Sequence, residues 1–426
     1  MNAIILYDKY STYTNTVYEH LSSFRKYSKF KHFYVHATDE TPKIDWNLID
    51  IIVIHYSLRV AHDQITLNLL GQIRRFKGLK ILFVQDEYEN TNKTYSAIKS
   101  LGISLVYTCV PEEHIQKIYP KENFPKVKFI NTLTGFTIDK KSTSQKLPLI
   151  KDRSCLIGYR GRNLPYWYGD LGQEKIKIGE VMRVESIRRN LMVDISYDDD
   201  KRIYGDNWTN FIKKSKATLG TESGSNIFDF DGNIKKSFIN FLKLNPTKDY
   251  KYVRNKLLGE KKELNIMNQI SPRIFEAISL KSALILFEGK YSGVIKPFIH
   301  FIPLKKDFSN IDDVFNKLKD DNYLQLMVDR AFKDIILSGS YTYSSFISNY
   351  DKQINLLIEH STSSIVTKKI INMDTKPERH RLIRMWPLLI KLKNLLPKKF
   401  VVIIKPMGIK LFYKLKHLIQ IFKQKS

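Results

Sequence analysis

Cysteine is almost absent: Cys109 and Cys155 are the only two in 426 residues. Two thiols cannot make a disulfide framework, and their spacing matches no metal-ligand pattern, which suits a reducing compartment. Apolar runs of about 18 residues are missing, so no membrane-spanning helix is expected. The opening MNAIILYDKY has neither a basic leader nor a long apolar stretch and reads as a first strand. Acidic residues are also scarce, with 43 Asp and Glu against 70 Lys and Arg, a formal charge of +27. That balance points to a polyanion or an anionic surface nearby. What is plentiful is apolar and aromatic content, 43% and 12%, which excludes general disorder.

The chain is too long for one ordinary core, and its pattern divides it. AIILY (3–7), DIIVIHY (50–56), KILFVQD (80–86) and SLVYTCV (104–110) are nearly continuous apolar runs separated by helix-like spacing. Strands buried on both faces and alternating with helices predict a parallel sheet of βαβ units. A polar stretch, TIDKKSTSQKLP (137–148), follows as a linker. A second α/β series begins at SCLIGYRG (154–161) and runs through KATLGTESG (216–224), ALILFEG (283–289) and HFIPL (300–304). The expected organisation is an N-terminal Rossmann-like domain over 1–145, a second over 150–340, a return helix over 341–358 and a basic tail over 367–426. Two such doubly wound sheets in series place a cleft at the carboxyl ends of their strands.

Several residues fall at those ends. Gly158, Arg160, Gly161 and Arg162 in GYRGR close the strand that opens the second series. Glycines allow close backbone approach to a phosphate, and arginines supply forked donors. No helix follows at once, so this is no standard dinucleotide fingerprint. His55, Asp86 and Glu87 end two strands of the first series, and one of them, with Asp86 preferred, is expected as the base for a hydroxyl acceptor. The acidic runs FDFDG (228–232) and YDDDK (197–201) have hard-cation oxygens, but acidic turns are common loop compositions, and no metal is assigned. SPRIFEAIS (271–279) reads as a helix capped by Ser271 and Pro272, with Arg273 and Glu276 three apart on one face. Glu276 is a lone carboxylate among Ile274, Phe275, Ala277 and Ile278, a costly arrangement without a partner.

SPRIFEAIS followed by ALILFEGKYSGV resembles the nucleotide-binding region of GT-B glycosyltransferases, closest to the family 1/4-like and spore-maturation-type glycosyltransferase-like branch. The resemblance implies that Glu276 bonds the ribose of a nucleotide-sugar donor. It places Arg160 and Arg162 near the diphosphate, with Gly158, Gly161, Arg273 and the amides of Tyr291, Ser292, Gly293 and Val294 around it. His55 and the Gln85–Asp86 pair fall where relatives contact acceptor and sugar. One departure stands out: relatives often carry a second Glu eight positions before the ribose-binding one, and here it is Asn268.

The end of the chain is different in kind. Lys376 to Ser426 holds 14 Lys or Arg against one acidic residue, Glu378. Ile409, Leu411, Phe412, Leu415, Leu418, Ile419 and Phe422 form an apolar stripe, with lysines towards the other side. Large aliphatics between charges suit an anionic membrane surface better than nucleic acid. The combined expectation is a metal-independent, cofactor-free glycosyltransferase at the cytoplasmic membrane face. Its donor is a nucleotide-sugar, its acceptor a lipid-linked or cell-surface glycan, and nucleic acid is no partner. The alternative is a non-catalytic basic protein, binding membrane or nucleic acid on a degenerate Rossmann pair.

Overall fold

The computed structural model describes residues 1–138, 147–259, 267–358 and 376–380. The basic tail expected over 367–426 lies outside them, apart from 376–380. Residues 1–379 form one compact unit. Within it are two parallel sheets, so the α/β architecture of two doubly wound halves is the one observed.

The first sheet runs β2-β1-β3-β4-β5-β6, from β1 (Asn2–Tyr7), β2 (Lys31–His36), β3 (Ile51–Ile54), β4 (Leu79–Phe83), β5 (Leu105–Thr108) and β6 (Lys128–Asn131). The second runs β13-β12-β9-β7-β8, from β7 (Cys155–Arg160), β8 (Val193–Ser196), β9 (Ser215–Gly220), β12 (Ala283–Phe287) and β13 (Ile302–Leu304). Every pairing in both is parallel. Central strands are buried on both faces, which is why they read as unbroken apolar runs. In each sheet the chain reverses its winding beside the first strand, between β1 and β3 and between β7 and β9. Such switch points open a crevice at the strand carboxyl ends.

Helix Tyr343–Leu357 crosses back to the first half, where Phe346, Ile347, Tyr350 and Ile354 bury against β1, β3, β4 and β5. A shorter excursion leaves the second half through the antiparallel pair β10 (Ser223–Ser225) and β11 (Met267–Gln269), which carries helices Asn233–Leu244 and Tyr250–Leu258. Gly224, at φ +121°, allows this pairing, since a Cβ there would meet the Met267 carbonyl oxygen at 1.8 Å.

FDFDG sits at the root of that excursion as a joint between the halves. Asp229 N donates to Tyr88 O at 2.9 Å, Asn92 N donates to Phe230 O at 2.9 Å, and Phe228 is buried in the first core. The Asp229 carboxylate accepts from Ile234 N and Lys235 N, at 3.2 and 2.9 Å, and so caps helix Asn233–Leu244. Asp229→Ala is expected to lower unfolding stability by about 1 kcal/mol, the usual worth of a cap, measured by denaturant titration.

Candidate nucleotide cleft

Helix Pro272–Ser279 begins with proline in its first turn and buries Ile274, Phe275, Ala277 and Ile278. That leaves Arg273 and Glu276 on the open side, at the carboxyl edge of the second sheet. Glu276 Oε2 accepts from Trp208 Nε1 at 2.7 Å. Arg273 lays its guanidinium 5.0 Å from the centre of the same indole and donates to the Arg160 carbonyl at 2.5 Å. Trp208 comes from helix Asp206–Lys214 and stacks on Phe211, with ring centres 5.8 Å apart. Burial pushes the Glu276 carboxyl up, while Trp208 and Arg273 pull it down. Across the cleft stands Glu19 of helix Asn15–Tyr27, pushed up to about 7 by burial and then by the Glu276 charge.

Beside this pair is a group of cations. Lys175 lies in the second turn of helix Asp170–Arg188, and its ammonium donates to Ser223 Oγ at 3.3 Å. Burial lowers its pKa to about 8, and the Arg273 and Arg162 charges add to that. Arg162 is exposed and has no ion-pair partner among the described residues. Gly161 lets the helix approach: a Cβ there would meet the Lys175 carbonyl oxygen at 3.1 Å. Three cations on one wall, one of them held below its usual pKa, make a site that an anion relieves.

Other expected residues are spent on the fold. Arg160 is buried: Nε donates to Lys201 O at 3.0 Å, Nη1 to Tyr159 O at 2.9 Å and to Asp194 O at 3.0 Å, and Nη2 to Asp194 Oδ2 at 3.0 Å. With all three nitrogens engaged, it braces β7 against β8 and turns no fork to the cleft. Gly158 serves packing, since a Cβ there would lie 2.1 Å from Ser215 Oγ on β9. His55 is fully buried, with Nε2 3.0 Å from His20 Nδ1 and Nδ1 2.9 Å from Ser57 Oγ. Desolvation holds that imidazole neutral, out of a substrate's reach. Glu87 is buried as well. It accepts from Thr108 Oγ1 at 2.6 Å, from Cys109 N at 2.8 Å and from the Tyr119 hydroxyl.

The loop after β12 is also largely satisfied. Tyr291 N donates to Glu222 Oε1 at 2.8 Å, Gly293 N to Lys290 O at 2.8 Å and Val294 N to Tyr291 O at 3.1 Å. Ser292 Oγ accepts from Ile270 N at 3.1 Å and donates to Gln269 Oε1 at 2.8 Å. Glu222 fills the space in front of that loop, and its Oε2 accepts from Asn268 Nδ2 at 2.7 Å. At position 268 this chain therefore sets an amide against the carboxylate of Glu222. Asn268 Oδ1 is buried with no partner among the described residues, and it borders a cavity of about 720 Å³ that Pro111–His114 close from the first half.

Asp86 does face the cleft. It joins Tyr56, Ser57, Arg59 and Phe83 around a pocket of about 190 Å³ at the ends of β3 and β4. Its carboxylate pairs with Arg59 and accepts from the Tyr88 hydroxyl at 2.9 Å, and its charge is felt by Lys175 on the opposite wall. Among the described residues no cluster of His, Cys, Asp and Glu could hold a metal ion. Lys175, Trp208, Glu19 and Glu222 escape sequence reasoning, because helix register or strand pairing is what brings each of them to the cleft.

No family model matches the chain, and no curated protein matches it. Among solved structures, an alpha-glucosyltransferase in complex with UDP and a 13-mer DNA containing a HMU base superposes with a TM-score of 0.50. It is 12% identical, over 84% of this chain and 99% of that one. The fold is GT-B. T4 phage BGT in complex with UDP-glucose gives 0.46 at 11% identity, over 83% of this chain and 99% of the other. Anabaena HepE in complex with UDP gives 0.44 at 11% identity, over 84% and 100%. At 12% identity the first of these likenesses bears on architecture alone, so the chemistry rests on this chain's own GT-B cleft.

Proposed function

We propose that the chain transfers a glycosyl group from a nucleoside-diphosphate sugar to a hydroxyl. The observation that carries this is the wall of Lys175, Arg162 and Arg273 next to the half-buried Glu276. A nucleoside diphosphate offers what that wall lacks: ribose hydroxyls to donate to Glu276 and phosphate charge to meet the cations. The alpha-glucosyltransferase that superposes at a TM-score of 0.50 was solved with UDP, which supports the same donor class.

As the anomeric carbon's bond to the diphosphate breaks, the acceptor oxygen bonds to that carbon and loses its proton. Asp86 is the acceptor-side carboxylate that takes up this proton, and its pairing with Arg59 fixes it in place. Lys175 and Arg162 neutralise the leaving diphosphate, a role that in other enzymes falls to a metal. The nucleotide-sugar enters as substrate, and neither metal nor cofactor is invoked. The acceptor is a lipid-linked or cell-surface glycan, reached from the cytoplasmic membrane face. The basic, aliphatic-rich tail supports that placement, and no helix among the described residues is long and apolar enough to cross a membrane.

Calorimetric titration with UDP, GDP, ADP, CDP and dTDP tests the donor reading. One diphosphate is expected to bind at micromolar level, and Glu276→Ala to weaken it roughly tenfold, the worth of a charged hydrogen bond. A folded protein that binds none of the five leaves only the basic binding module.

A further inference from the structure

The excursion over residues 233–258 carries seven Lys or Arg and one acidic residue, Asp249. Its two helices meet through Phe238 and Val253, both fully buried. Two of the seven cations are paired, Lys235 with Glu89 at 3.5 Å and Arg254 with Asp170 at 3.9 Å. The other five, Lys236, Lys243, Lys248, Lys251 and Lys256, are exposed, and none forms an ion pair among the described residues. Asp249, the sole acid, is occupied in capping the second helix through Tyr252 N at 2.8 Å. The same helices expose two large side chains, Leu244, 83% exposed, and Tyr252, 48% exposed, the latter under the Lys248 ammonium at 4.7 Å.

We propose that this face docks on an anionic lipid surface. Each lysine held near an anionic leaflet multiplies partitioning roughly fivefold, so five exposed lysines outside any ion pair on two short helices and their turn are a substantial attraction. Leu244 and Tyr252 match the interfacial zone, where an aliphatic chain and an amphipathic ring both gain. Nucleic acid would use the lysines, but a leucine at that exposure has no place in a phosphate groove. The apolar sides of both helices are turned to the protein, so the contact is shallow, led by lysine and sensitive to salt. The docking does not depend on the transfer reading. Because Asp229 ties the base of this excursion to the Tyr88 loop at the cleft rim, it would also bring the acceptor side towards the lipid–water boundary.

The test uses the full chain, tail included, with a polarity-sensitive fluorophore on Leu244→Cys in a Cys155→Ser background, its fold checked by circular dichroism. Vesicles of phosphatidylcholine alone are compared with vesicles containing phosphatidylglycerol. The expected result is a blue shift on the anionic vesicles only, abolished when Lys243, Lys251 and Lys256 are all changed to Glu. Co-sedimentation without any shift would mean that the tail binds and this face does not, and the proposal fails. It fails equally if the protein does not sediment, or if duplex DNA shifts the emission while vesicles leave it unchanged.

Discussion

Exchanging Lys175 for methionine is expected to weaken nucleoside-diphosphate binding roughly a hundredfold while leaving the fold intact, since the aliphatic stem is kept and a crowded charge is removed. The ammonium sits with Arg273 and Arg162 at a pKa of about 8, depressed by burial first and by those charges second. A bound diphosphate reverses the balance and raises that pKa. Below about 8 the lysine is already charged and affinity is flat. Above it, binding must take up a proton, so affinity falls as pH rises through that value. Calorimetry in two buffers of different ionisation enthalpy reads the uptake directly. Lys175→Met should lose both the affinity and the alkaline limb. A variant that binds like the parent protein would place the diphosphate elsewhere, whatever Glu276 does.

The value of that experiment lies in what the sequence hides. Central strands β1, β3, β4, β5, β7, β9 and β12 are legible because parallel strands with two covered faces are written as apolar runs. The strands that escape sequence reading in the main sheets are β2 (KHFYVH), β6 (KFIN) and β8 (VDIS), all edge strands with one side towards solvent and correspondingly mixed sequences. The site divides on a similar principle. Glu276, Arg273 and Arg162 are readable because helix periodicity or a glycine turn fixes which way they face. His55, Glu87 and Arg160 also lie at strand ends, yet they point inwards, and only their buried partners reveal it. Lys175 sits 13 positions beyond Arg162 in the sequence, with a short turn and the start of a helix between them. No local pattern announces that the two share a wall.

Glu87 supplies the second large effect, and it is on stability. Burial, the leading cause, pushes this carboxyl from the ordinary 4.5 up to about 7, against the pull of Thr108, Tyr119 and the Cys109 amide. A carboxyl that is easier to protonate when folded favours the folded state at low pH. Its contribution is full below about 4.5 and is lost as pH rises through about 7, up to about 3 kcal/mol over that window. Glu19, also raised to about 7, works in the same direction over the same window. Glu87→Gln is therefore expected to flatten the fall in stability between those pH values without abolishing it, as followed by urea unfolding across the range. Glu87→Ala should do worse at every pH, because Thr108, Tyr119 and the Cys109 amide then lose their acceptor, at about 1–3 kcal/mol for each buried group left unmet. Nucleotide affinity of the Gln variant should match the parent protein. If that affinity collapsed with stability intact, Glu87 would belong to the cleft after all, and the inward hydrogen bonds would not describe the working state.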